Sequence, residues 1–146
     1  MRALIQRVKQ ASVVVDAETV GQIEHGILAY IGLGPDDTLQ SAQKMVDKIL
    51  TYRIFDNEAG KLDKNVQQVE GGLLLVSQFT LMAKTDKGRR PDFGDAMAPD
   101  AANALFEQLI SYAKQQYHHV ETGKFGANML VKADNDGPLN FILELS

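Results

Sequence analysis

The chain has 146 residues, 45% of them hydrophobic and 23% charged; that suffices for one packed domain, 1–146, and excludes wholesale disorder. It has no cysteine, which excludes disulfides, thiolate metal sites and a cysteine nucleophile together. A net charge of −4 excludes a protein that coats nucleic acid through a uniformly basic surface, so any RNA contact must be local.

The amino-terminal residues alternate in polarity instead of forming an apolar block before a cleavage site. No apolar run reaches the roughly 18 residues of a membrane span. The sequence therefore predicts a cytoplasmic protein without signal peptide or membrane contact. Arg2 to Asp16 is rich in Val and Ile, partly alternating as at Leu4, Gln6 and Val8, and predicts one or two strands. Val20 to Glu24 and Gly26 to Gly34 predict two more, the second apolar on both faces and so central. Asp36, Asp37 and Thr38 can cap a helix, and Leu39, Ala42, Met45, Val46, Ile49 and Leu50 follow at helical spacing. Asp56 to Gly60 is a turn, and Leu73 to Phe79 reads as a buried strand. Lys84 to Met97 is a polar loop. Pro99 suits the first turn of a second helix with a stripe of Leu105, Leu109, Ile110 and Ala113. Strands return at Ala127 to Ala133 and Leu139 to Leu145, around a turn at Asp134 to Pro138. The pattern predicts an α+β fold, a single domain whose mostly antiparallel sheet rolls into a partly open barrel with two main helices.

Little in this chain matches common catalytic motifs. His25, His118 and His119 lack metal-ligand spacing, and no carboxylate cluster completes a site. Gly32-Leu33-Gly34 lacks the third glycine of a dinucleotide loop, and there is no Walker sequence and no Gly-x-Ser-x-Gly elbow. Neither metal nor cofactor is expected. Two segments stand out. In Ser77-Gln78-Phe79-Thr80-Leu81, polar side chains interrupt an apolar run; buried hydroxyls and amides cost roughly 1–3 kcal/mol each unless bonded, so they need partners or a cleft. Asn135-Asp136-Gly137-Pro138 has turn composition. Taken singly, a strand end and an ordinary turn account for them.

Together the two segments resemble the signature pair of the D-aminoacyl-tRNA deacylase family, Ser-Gln-Phe-Thr and Asn-x-Gly-Pro-x-Thr. Met1 to Val8, Tyr52-Arg53-Ile54-Phe55, Asn65-Val66, Gly88-x-Arg90-Pro91 and Thr122-Gly123-x-Phe125 extend the likeness over essentially the whole length. Asn140 stands where the second motif closes on Thr, and loses the β-branch that favours a strand. Phe79 favours the D-aminoacyl group over a related editing group with Ala there.

The resemblance implies a proofreading hydrolase that cleaves the ester of D-aminoacyl-tRNA, and of mischarged glycyl-tRNA(Ala), while sparing L-aminoacyl-tRNA. Such an enzyme recycles tRNA and keeps D-amino acids out of translation. It implies a homodimer with its sites at the subunit interface. A cis Gly137–Pro138 bond would reach into the partner's site, turning two carbonyl oxygens toward the substrate α-carbon, where hydrogen fits and an L side chain does not. Catalytic roles fall to Ser77, Gln78, Phe79 and Thr80, with N–H groups near Phe79 and Thr80 holding an oxyanion. Gly137, Pro138, Phe125 and Met129 would contact the substrate, the last two shaping the pocket or holding the terminal adenosine. Thr80 as nucleophile needs a base, and none is evident; positioning a water and the substrate's own 2′-hydroxyl is the alternative. Lys84, Lys87, Arg89 and Arg90 would clamp phosphate, or form a solvated basic loop; DNA is not an expected partner. Two other functions stay open: a tRNA-end binding module disabled by Asn140, and a hydrolase of small D-amino acid esters. The intact motifs argue against the first and the basic loop against the second.

Overall fold

The Val- and Ile-rich start of the chain forms one long strand, β1 (Arg2–Val15), in the computed structural model, which describes residues 1–145. It is followed by β2 (Glu18–Ile23), β3 (Gly26–Gly32), helix α1 (Leu39–Thr51) and a short hairpin of β4 (Phe55–Asp56) and β5 (Leu62–Lys64). Then come β6 (Gly72–Ser77), a 3₁₀ turn at Phe79–Met82, helix α2 (Pro99–Gln116), β7 (Val120–Thr122) and β8 (Leu130–Glu144). Among the described residues no helix is long and apolar enough to cross a membrane.

The length of β1 gives it three antiparallel partners. β2 pairs with Ala11–Val15 and β3 with Arg2–Val8 along one edge, while β8 runs along the other. β3 then lies parallel to β6, and β6 parallel to β7. The sheet is thus mixed, with antiparallel pairs in the majority, and it curls until β2 meets β7. There the Gln22 N–H donates to Glu121 Oε1 at 3.4 Å. Gly21 permits this near-closure, because a Cβ at that position would collide with the carbonyl oxygen of Thr122.

Alternation along the parallel strands sorts two cores. Ile27, Ala29, Ile31, Leu73 and Leu75 face the helices and pack with Ala42, Met45, Ile49, Phe106 and Leu109. Leu28, Leu74 and Val76 face the barrel interior with Val8, Val13 and Ile23. β3 is buried at nearly every position, as expected for a central strand. Thr38 caps α1 in a reciprocal box with Ser41, and Pro99 opens α2. Tyr112 on α2 donates to Asp47 on α1 at 2.8 Å, which raises the phenol pKa.

Two elements differ from the sequence expectation. The strand expected over Leu73–Phe79 ends at Ser77, because the chain turns into the 3₁₀ segment and leaves Phe79 exposed. The turn expected at Asp134–Pro138 lies inside one continuous strand, β8. Between the pairs Gln6↔Asn140 and Val8↔Asn135, β1 supplies only Arg7, while β8 supplies Asp136, Gly137, Pro138 and Leu139. The surplus residues bulge out of the ladder, as they must where Pro138 has no N–H to contribute.

Candidate active site

The parallel strands β3 and β6 end side by side, and beyond their ends the chain departs in different directions, leaving a cavity of about 640 Å³. The end of β3 contributes Ile31 and, just past it, Leu33, and the end of β6 contributes Ser77 and, just past it, Gln78. The first turns of α2 contribute Pro99, Ala102 and Phe106, and the segment before β8 contributes Phe125 and Met129. The wall is mainly apolar with few polar groups, the usual composition of a small-molecule pocket. Tyr30 places a phenol in this wall, and burial pushes its pKa up, so it stays protonated and able to donate.

Of the first motif, Ser77, Gln78 and Phe79 line the cavity. Gln78 is anchored by its N–H to the Ile31 carbonyl at 2.8 Å. Thr80 lies beyond the lining, and its hydroxyl donates to Gln78 Oε1 at 2.6 Å. The 3₁₀ turn begins at Phe79, and its first N–H groups have no carbonyl one turn earlier to bond. Among the described residues, no hydrogen bond uses the N–H of Phe79 or Thr80. Phe79, which lines the cavity, and its neighbour Thr80 therefore offer two adjacent backbone donors, an arrangement suited to a developing oxyanion.

Phe125 packs against Phe106, ring centroids 6.1 Å apart. Met129 curls back so that its sulfur accepts the Lys124 N–H at 3.4 Å. Lys84, Lys87, Arg89 and Arg90 are all exposed on the loop that follows the 3₁₀ turn. Lys84 pairs with Asp95 at 3.5 Å, and Asp86 and Asp92 dilute the loop's positive charge. His25 meets the Val69 carbonyl at 2.9 Å, and His118 packs beside Tyr117; none of the three histidines lines the cavity.

Gly137 and Pro138 are exposed and do not line the cavity of their own chain. Their peptide bond is cis, and Gly137 has φ +123°, where side chains are rarely tolerated. A Cβ there would sit 3.1 Å from Leu139 N and 3.2 Å from Arg7 Nη2.

What holds this bulge is a residue that sequence reasoning missed. The Arg7 side chain is only 11% exposed, and its Nε donates to the Asp136 carbonyl at 3.3 Å and lies 3.3 Å from Asp136 Oδ2. Its Nη1 donates to the Ile54 carbonyl at 3.0 Å and lies 3.5 Å from Asp56 Oδ1. Asn135 closes the bulge from inside, its side-chain amide donating to the Arg7 carbonyl at 2.9 Å and to the Leu139 carbonyl at 3.2 Å. Arg7 is a lone charged residue on the strand face that carries the buried Ala3 and Ile5. Its surplus of donors over nearby sequence partners carries no local signal.

Known proteins resemble this chain along its full length. The family profile described as D-Tyr-tRNA(Tyr) deacylase matches residues 4–144. A D-aminoacyl-tRNA deacylase of Psychrobacter sp. (strain PRwf-1) is 80% identical over 146 residues, covering all of both chains. One from Acinetobacter baumannii (strain AYE) is 60% identical over 145 residues, 99% of each. The structure titled c-Myc DNA Unwinding Element Binding Protein superposes with a TM-score of 0.95 at 38% identity, over 100% of this chain and 99% of that one. A probable eukaryotic D-amino acid tRNA deacylase shares the fold at a TM-score of 0.87 and 18% identity, over 99% and 98%.

Proposed function

The chain belongs to the D-Tyr-tRNA(Tyr) deacylase family and is a hydrolase of the ester bond in D-aminoacyl-tRNA; from that premise we propose how its residues divide recognition from chemistry. The observation that carries the proposal is the pair of unpartnered N–H groups at Phe79 and Thr80, beside a cavity sized for one aminoacyl nucleoside. The terminal adenosine enters between Phe125 and Met129, and the ester carbonyl points at the two N–H groups. Water bonds to the ester carbon, the carbonyl oxygen takes up negative charge against these donors, and the carbon–oxygen bond to the ribose breaks. The vicinal 2′-hydroxyl relays the proton to the leaving oxygen. An oxyanion donor of this kind contributes about 2.7–4 kcal/mol of barrier lowering.

Chirality is read by the Gly137–Pro138 bulge. Its carbonyls stand against the substrate α-carbon, where hydrogen fits and an L side chain does not. D-amino acids pass, and so does glycine, which makes mischarged glycyl-tRNA(Ala) a second substrate. The bulge is exposed and absent from the cavity of its own chain, which supports action across a two-fold interface in a homodimer. Among the described residues β8 pairs only with β1, and it carries Ile142 and Leu130, 62% and 58% exposed. Lys84, Lys87, Arg89 and Arg90 contact tRNA phosphate without reading bases. Proofreading of this kind places the enzyme with translation in the cytoplasm.

Thr80 supports the site through its bond to Gln78 and forms no covalent intermediate. Thr80→Ala is expected to lower single-turnover hydrolysis of D-Tyr-tRNA about two- to tenfold, the effect of one neutral hydrogen bond worth about 0.5–1.5 kcal/mol. Acid quenching of the wild-type reaction should recover no aminoacylated protein. A D-tyrosyl ester trapped on Thr80 would overturn the substrate-assisted route.

A further inference from the structure

Phe79 and Phe93 are both exposed large apolar side chains, at 59% and 40%. They stand together at the rim of the cavity, ring centroids 5.1 Å apart and planes inclined at 55°. Phe93 is held in place. Lys84 and Asp92 exchange backbone hydrogen bonds at 2.8 and 3.1 Å, Asp92 Oδ1 accepts the Gly94 N–H at 2.9 Å, and the Met97 N–H donates to the Leu33 carbonyl at 2.9 Å. The tip of this small hairpin carries Lys87, Arg89 and Arg90, for which the described residues supply no ion-pair partner. The loop that sets Phe93 beside Phe79 thus also carries unpaired cations. That combination matches single-stranded nucleic acid, whose phosphates seek cations and whose bases stack on rings.

We propose that Phe79 and Phe93 form a stacking shelf for the second nucleobase from the 3′ end of tRNA, the cytosine next to the terminal adenosine. The inference rests on the deacylase reading above and extends it. A cavity of about 640 Å³ holds one ligand of ordinary size, so with the terminal nucleoside inside, the preceding base lies outside, at the rim where the rings are. The enzyme then recognises two nucleotides by shape and stacking, and its acceptance of different tRNAs follows from an end they all share.

Three small D-tyrosyl esters test this: of adenosine, of cytidylyl-adenosine, and of the same dinucleotide with an abasic first residue. Wild type is expected to show a higher kcat/KM for the cytidylyl ester than for the abasic one, by about 5- to 150-fold, the range for stacking one base on an aromatic side chain. Phe93→Ala should erase that difference, and Phe93→Trp should keep it. Equal rates on the two dinucleotides in wild type, or a difference that survives Phe93→Ala, would overturn the shelf while hydrolysis of the adenosine ester left the deacylase reading intact. Failure on all three esters would overturn both. A Phe93→Ala protein that changes oligomeric size would assign the rings to a protein interface instead and overturn the proposal.

Discussion

Gly137→Ala is expected to lower kcat/KM for D-Tyr-tRNA by about 100-fold, the loss that a displacement of about 1 Å near reacting atoms can cause. The added methyl would lie 3.1 Å from Leu139 N and 3.2 Å from Arg7 Nη2, and the φ of +123° is one that alanine avoids. The segment must therefore shift, and the carbonyls proposed to face the substrate shift with it. The fold should survive, because Gly137 sits in an exposed bulge outside the ladder. A stability loss of about 1–3 kcal/mol by urea denaturation accounts for the backbone strain. Glycyl-tRNA hydrolysis should fall in parallel. An alanine variant with wild-type rates on both substrates would remove Gly137 from the site.

Arg7 gives the second large effect. Removing its guanidinium leaves the Asp136 carboxylate and the carbonyls of Asp136 and Ile54 without their donor. Arg7→Ala is expected to cost about 1.5–3 kcal/mol, the range for hydrogen bonds to a charged group, less than a fully buried pair would, since Asp136 and Asp56 are partly solvated. Arg7 acts as a positioning residue, so the informative readout is specificity. Once the bulge is loosened, the ratio of D-Tyr-tRNA to L-Tyr-tRNA hydrolysis should fall at least about tenfold, the result of relaxing a steric filter by roughly 1.4 kcal/mol. Arg7→Lys should recover little of it, because a single ammonium cannot replace the fork that bonds Asp136 through Nε and Ile54 through Nη1. An unchanged ratio in a destabilised Arg7→Ala protein would reduce Arg7 to a structural role.

The helices were legible because their signals are local. Thr38 and Ser41 close a capping box, Pro99 takes a position where its missing N–H is harmless, and the apolar stripes fall at helical spacing. The central place of β3 was legible from its two apolar faces. The parallel pairing of β3, β6 and β7 was not, since it depends on connections that pass through both helices, and β4, β5 and β7 are too short to show a period. The motif Ser77–Thr80 announced itself by polarity in an apolar run, yet only the fold separates its parts: three residues line the cavity, and Thr80 stands behind Gln78. Asn135 to Pro138 has the composition of a turn, and its place as a bulge in a paired strand is a matter of register with β1. Phe106 lay unread because core packing and cavity lining ask for the same residue type. Arg7 was hidden because its partners Ile54, Asp56 and Asp136 lie far along the chain.

The measurement closest to the central claim is hydrolysis of matched D-Tyr-tRNA, glycyl-tRNA and L-Tyr-tRNA by the purified wild-type protein. Release from the first two with the L-ester spared is the predicted result, and it would also show that Asn140 is tolerated where the family motif closes on Thr. Hydrolysis of the L-ester at a comparable rate would contradict the steric filter. Binding of all three without release would contradict the hydrolytic site at Ser77–Thr80.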